Sequence, residues 1–149
     1  MPSTIGMQNA AVFPVPDELP NSEALISNQR PEVEELLLSL LVVETAEDRR
    51  LAAQLIGVRR DVNATAGLCV AAKDKDGSVR VQAVKSLGEL RDQGAADALI
   101  NAMKDRSAQV RHMAVQAAGK IGSTVVVANV VELLRDSKEQ VQAAAAGTL

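Results

Sequence analysis

Apolar residues in this chain recur at helical spacing, and the helices they mark recur at a spacing of their own. Val79, Ala83 and Leu87 stand at i, i+4 and i+8, and Val110, Ala114 and Ala118 repeat the stripe 31 residues later. A stripe of this kind is the core-facing side of an amphipathic helix. Polar positions keep the same step. Asp74, Val79, Arg80 and Ala83 align with Asp105, Val110, Arg111 and Ala114, and a fainter copy holds Asp136, Val141 and Ala145. A fixed period in this range predicts a solenoid in which each unit packs on its neighbours.

Each unit reads as two helices. Leu36, Leu37, Leu38, Leu40 and Leu41 mark a first helix, and steps of 31 lead to Leu68, Cys69 and Ala71, to Leu99, Ile100 and Ala102, and to Val130, Val131 and Leu133. Arg49 and Ala52 align with Arg80 and Ala83, which adds a divergent opening unit. The expected architecture is all-α: a right-handed α-solenoid of four units at 31–61, 62–92, 93–123 and a truncated 124–149. Second helices are expected to start after the N-cap residues Thr45, Asp76 and Ser107. Lys138 breaks that series, so Ser137 with Gln140 is expected to form a capping box. Asp61, Asp92 and Ser123 are the expected caps of the later first helices. Pro31 suits a first helical position, and Glu32, Glu34 and Glu35 suit the positive end of the helix dipole. Gly57, Gly88 and Gly119 repeat at one place in the second helix, where a glycine costs about 1 kcal/mol against alanine. A repeated cost implies a repeated need, the close approach of a neighbouring helix.

Composition narrows the function. The 149 residues are 47% hydrophobic but only 1% aromatic, Phe13 being the sole aromatic, so the core is built from small aliphatic side chains. Net charge is −3; Asp17, Glu18 and Glu23 against Arg30 put −2 in residues 1–30, which leaves −1 for residues 31–149. Nucleic-acid binders carry a basic excess, so the overall balance argues against that class. Pro2, Pro14, Pro16 and Pro20 stand in a stretch without helical period, read as a disordered arm over residues 1–30 whose one apolar patch is Val12-Phe13-Pro14-Val15-Pro16. Cys69 is the only cysteine, which excludes an internal disulfide and fits a reducing, cytoplasmic setting. No run approaches the ~20 apolar residues of a membrane span.

With Asp74, Val79, Arg80, Ala83 and Gly88 spelling the motif, and Asp105, Val110, Arg111, Ala114 and Gly119 repeating it, the chain resembles the short HEAT-like repeats of the phycobilisome-lyase type. The resemblance covers residues 31–149 and is strongest over 73–122. It implies a hydrogen-bonded ladder between units, built by Asp74, Asp105 and Asp136 with Arg80 and Arg111. Val43 stands in the aspartate place of the first unit and Gln142 in the arginine place of the last, so the ladder is expected to weaken at both ends.

Candidate chemistry is sparse. Asp74-Lys75-Asp76-Gly77-Ser78 begins like a calcium loop, but its twelfth position is Lys85 where the bidentate glutamate belongs. Cys69 aligns with Leu38, Ile100 and Val131 and is expected to be a buried, inert thiol. His112 is expected on the solvent side of its helix, with no second histidine to share a metal. The His-Glu pairs of the HEAT-like deoxyhypusine hydroxylases and the aromatics of the HEAT-like DNA glycosylases have no counterpart here. No catalytic residue, metal ligand or cofactor is expected.

The remaining feature is a surface. Rows on the second helices are Arg50, Val81 and His112; Gln82 and Met113; Gln54, Lys85 and Gln116; and Glu89 and Lys120. They are expected to form a mildly basic face that holds a protein partner, which makes the chain a non-catalytic scaffold. The resemblance carries an alternative, a subunit or relative of a phycobilin lyase that handles a bilin on phycobiliproteins. Leu149 falls inside the repeat motif, so the uncapped C-terminal end is expected to self-associate.

Overall fold

The 31-residue step in sequence becomes a step in space. The computed structural model describes residues 31–149; the predicted arm and its Val12-Phe13-Pro14-Val15-Pro16 patch lie outside the described residues. Eight α-helices follow within the described residues: α1 (Pro31–Leu40), α2 (Ala46–Arg59), α3 (Thr65–Ala71), α4 (Gly77–Leu90), α5 (Ala96–Ala102), α6 (Ala108–Ile121), α7 (Val127–Glu132) and α8 (Glu139–Thr148). They pair as first and second helices of successive units. The second helices form a layer in which α2 packs on α4, α4 on α6 and α6 on α8, and the first helices lie against them. The architecture is an all-α helical solenoid.

The core repeats with the sequence. Val79, Val110 and Val141 are fully buried, and so are Ala83, Ala114 and Ala145; the first helices add Leu68, Leu99 and Val130. Burying one such valine or leucine contributes about 1.5–3 kcal/mol, and the repeat supplies these contributions at every unit. The Cys69 row differs from its expected burial. Leu38, Cys69 and Ile100 are only half-buried, and Val131 is 48% exposed. One residue is about 100° around a helix, so a row next to the buried Leu68, Leu99 and Val130 is rotated towards the edge of the core.

Polar residues set the helix starts. Asp76 accepts from the backbone N–H of Ser78 and Val79, Asp61 from Asn63 and Asp92 from Gly94. Thr45, Ser107 and Ser123 occupy the expected cap positions without a side-chain cap bond, and Thr45 instead donates to Asp48. The Ser137–Gln140 capping box is not formed: Lys138 holds the cap position of α8, and the Ser137 backbone lies in the bend before it. Short 3-10 turns at Val62–Ala64, Gln93–Ala95 and Thr124–Val126 lead into α3, α5 and α7.

The repeated glycines do serve close approach. A Cβ on Gly88 would lie 2.9 Å from both Cα and Cβ of Ala117, and one on Gly57 would lie 2.4 Å from Ser86 Oγ. Gly119 is less tightly met: a Cβ there would lie 3.2 Å from Cγ2 of the Thr148 side chain. Each contact joins one second helix to the next. Ser86 adds a bond across the α2–α4 interface, donating to Ala53 O at 2.7 Å. A second backbone regularity stands at the C-terminal ends of these helices. Arg60, Arg91 and Gly122 end the second helices in the left-handed region, with φ of 53°, 54° and 66°. Glycine adopts that region freely and arginine does so at a cost.

Gly88→Ala therefore lowers stability by about 1–2 kcal/mol in urea unfolding, although alanine is the better helix former, because backbone and not a flexible side chain blocks the added methyl. Arg91→Gly moves the midpoint the other way, by a few tenths to about 1 kcal/mol, because it relieves the positive φ.

Candidate functional site

Three arginine–aspartate pairs run through the solenoid. Arg49 Nε and Nη2 donate to Asp74 Oδ2 and Oδ1 at 2.7 and 2.9 Å. Arg80 binds Asp105 at 2.8 and 3.1 Å, and Arg111 binds Asp136 at 2.7 and 2.9 Å. Each arginine also turns Nη1 back into its own unit. Arg49 reaches the carbonyls of Val43 and Glu44, Arg80 those of Asp74 and Lys75, and Arg111 that of Asp105. Each aspartate in turn accepts the backbone N–H two residues on, from Asp76, Ser107 and Lys138 respectively. One rung thus pins the loop of its own unit and the loop of the next. Planar guanidinium and carboxylate groups make such two-bond contacts with fixed geometry.

The ladder is not weakened at its outer interfaces. All three junctions between the four helix pairs carry a complete two-bond rung, and the first is made by Arg49. The departures Val43 and Gln142 face outward, where no neighbouring unit stands among the described residues. Gln142 keeps part of the pattern, since its Nε2 donates to Asp136 O at 2.6 Å.

The rungs shape the local electrostatics. Burial pushes the Asp74 and Asp105 carboxyls up, but the paired guanidinium and the bound backbone N–H outweigh it and hold both below the ordinary 3.8. Asp136 is held low chiefly by its bond from Arg111. Hydrogen bonds to Asp74 and Asp136 raise Arg49 and Arg111 above their usual value. Asp74 is thereby consumed by the ladder and Asp76 by its helix cap, and no cluster of three metal-ligating side chains occurs among the described residues.

The second-helix face is narrower than its four predicted rows. Gln54, Lys85, Gln116 and Lys120 are exposed. Arg50, Val81, Gln82, His112 and Met113 are half-buried, with Val81 and Met113 packed on the core. His112 sits against the next unit, Nδ1 at 3.2 Å from Gln140 O, and so is an interface residue and not a fully solvent-side one. Glu89 is paired to Lys120, and that bond holds its carboxyl low. A groove of about 240 Å³ between α2 and α4 brings Gln54, Arg60, Gln82, Lys85 and Glu89 together. Arg60 belongs to this face and is missing from the predicted rows. Its signal was available: Gly122 marks the left-handed position, and steps of 31 back from it land on Arg91 and Arg60.

Cys69 is not buried as expected. It lines two open grooves on the first-helix side, of about 450 and 660 Å³, and burial raises its thiol pKa, with Asp92 adding to the effect and Lys73 opposing it. A raised pKa disfavours the thiolate. No helix among the described residues is long and apolar enough to cross a membrane.

Paired helices stacked in register, tied by a polar ladder and presenting side chains in rows, define a helical-repeat protein. The family model of HEAT repeats matches residues 33–105 and 65–149, and the chain belongs to that family. Among solved structures it is similar to an engineered protein, with 19% identity and a TM-score of 0.64; the match covers 78% of this chain and 60% of that one. It is also similar to the complex of CpcE and CpcF of phycocyanin lyase from Nostoc sp. PCC7120, with 20% identity and a TM-score of 0.55, over 92% of this chain and 67% of that chain. This chain therefore spans about 60% of the engineered protein's length. No curated protein matches it.

Asp105→Asn tests the rung directly. It leaves the Arg80 guanidinium without its carboxylate and is expected to cost about 2 kcal/mol at neutral pH. The pH dependence has a definite sign. Asp105 titrates below 3.8 when folded, so the unfolded chain binds more protons near that pH. The rung's contribution is full above the unfolded value and is lost as pH falls through the lower folded value. Acid titration of unfolding free energy should therefore be shallower in the variant than in the wild type.

Proposed function

We propose that this protein is a non-catalytic scaffold that holds a protein partner on the face formed by its second helices. The carrying observation is that Gln54, Lys85 and Gln116 occupy equivalent positions on successive second helices and are exposed and uncommitted to the core. HEAT repeats suggest this use, and a solenoid's stacked helices supply an extended surface for it. The groove between α2 and α4 places Arg60 and Lys85 beside half-buried Gln82, a polar and cationic contact zone. Binding hot spots favour arginine among charged residues, and Arg50 and Arg60 give this face two.

A second reading has one specific support. The likeness to the CpcE and CpcF complex of phycocyanin lyase favours a relative that handles a bilin. The grooves beside Cys69 supply space for a ligand, while the raised thiol pKa weighs against a nucleophilic role.

Affinity capture with wild type and with Lys85→Glu/Lys120→Glu separates the readings. The scaffold reading predicts a stoichiometric protein partner whose affinity falls about tenfold or more in the variant. Equal capture by both forms removes this face as the docking surface. A tetrapyrrole absorbance band in the captured material moves the bilin reading ahead.

A further inference from the structure

The ladder aspartates lie in short loops that join first to second helices, and these loops carry cations the ladder does not use. Lys73, Lys104 and Arg135 precede Asp74, Asp105 and Asp136 by one residue, so they share a structural position and the 31-residue step. Lys75 and Arg106 follow the first two aspartates by one residue, and Lys138 follows the third by two. The loops have the same backbone: Lys73 N bonds Val70 O, and Lys104 N bonds Asn101 O, both at 3.0 Å. All six cations are exposed, and none forms an ion pair among the described residues.

The neighbouring carboxylates are largely committed. Asp74, Asp105 and Asp136 are matched one for one by Arg49, Arg80 and Arg111. Asp76 is turned into its helix cap, which leaves Glu139 as the remaining acid in the first turn of α8. Six cations outside any ion pair thus stand against three carboxylates beyond the ladder: Asp76, Glu139, and Glu132, which takes the place of the groove-lining Asn101. The opening unit has the opposite sign: Glu44 occupies the Lys75 place, with Glu47 and Asp48 close behind. The edge therefore has a direction, acidic at the α1–α2 loop and basic along the other three.

Between the cations the surface is mixed. The groove of about 450 Å³ is lined by Cys69, Ala72, Ala98 and Ala102, by Asn101, by Asp74 and the Arg80–Asp105 pair of the ladder, and by Lys73, Lys75 and Arg106. It shares Cys69, Lys73 and Lys75 with the larger groove towards the α1–α2 loop. Packed helices lie about 8–10 Å apart, so equivalent cations repeat at about that distance. An extended peptide in the polyproline II conformation rises about 3.1 Å per residue with three residues per turn, which brings every third side chain to the same face at about that repeat.

We infer that this loop edge docks an extended acidic segment of another protein, with carboxylates at every third residue meeting successive units and small aliphatic side chains lying in the grooves between. A nucleic acid offers the same sign of charge but fits less well, because the described residues contain no aromatic side chain on which a base could stack. The edge lies on different elements from the second-helix face, and the inference goes beyond that reading.

The test uses the full chain and fluorescence anisotropy. Its probes are a labelled peptide of four Glu-Ala-Val triplets, the Gln-Ala-Val counterpart, and a single-stranded oligothymidine of similar length. The acidic peptide should bind saturably, and the glutamine peptide at least about tenfold more weakly. Lys73→Gln/Lys104→Gln/Arg135→Gln should lower acidic-peptide affinity by about tenfold or more and flatten its salt dependence, with an unchanged circular dichroism melting curve. Lys85→Glu/Lys120→Glu should bind it like wild type, which keeps failure here distinct from failure of the second-helix face. Absence of saturable binding by the acidic peptide, equal binding of the glutamine peptide, tighter binding of the oligothymidine, or an unaffected triple variant would each overturn the inference.

Discussion

The two-bond contact from an arginine of one unit to an aspartate of the next is the constraint on which the rest of the structure depends. A helix pair of small aliphatic residues has little to define how far along, or at what rotation, its neighbour should sit. Alanine and valine surfaces pack in many registers. The guanidinium fork accepts one, because Nε, Nη2 and Nη1 must reach two carboxylate oxygens and a carbonyl of its own loop together. The loops, the helix starts and the exposed rows all inherit that register. The exchange is not free, since each partly buried ion is withdrawn from water. The paired bonds and the backbone N–H on each aspartate offset that loss.

The glycines complete what the ladder begins. Ladder contacts fix the loop end of each unit, while Gly57 and Gly88 let the far ends of the second helices close to backbone contact and Gly119 admits the Thr148 side chain. Leu55 shows what the position becomes without a neighbour. It stands in the place of Ser86 and Ala117, and with no helix packed on it among the described residues it is a large side chain, 50% exposed. Small residues appear where helices meet, and larger ones where they do not.

Much of this was legible in the sequence because repetition turns weak local signals into strong ones. Val79, Ala83 and Leu87 would support one helix; their recurrence at Val110, Ala114 and Ala118 specifies an array. The glycine positions were readable for the same reason. Side-chain direction was less legible. Cys69 and its row, one residue from the buried Leu68, looked equally apolar but lie at the edge of the core. His112 and Met113 were placed outward by periodicity, yet neighbouring helices cover much of both. Arg60 and Arg91 were hidden because arginine gives no sign of a left-handed conformation, and only the aligned Gly122 reveals it. The loop cations were masked by overall net charge, which averages a basic edge against an acidic opening unit.

A double-mutant cycle on Arg80 and Asp105, with Arg80→Gln, Asp105→Asn and the double variant compared by urea unfolding, tests most directly whether the rung couples adjacent units. The ladder account predicts that the double variant is more stable than the sum of the single losses implies, with a coupling energy of about 1–3 kcal/mol. Additivity within about 0.3 kcal/mol would contradict it, and would leave apolar packing and the glycine contacts as what sets the register.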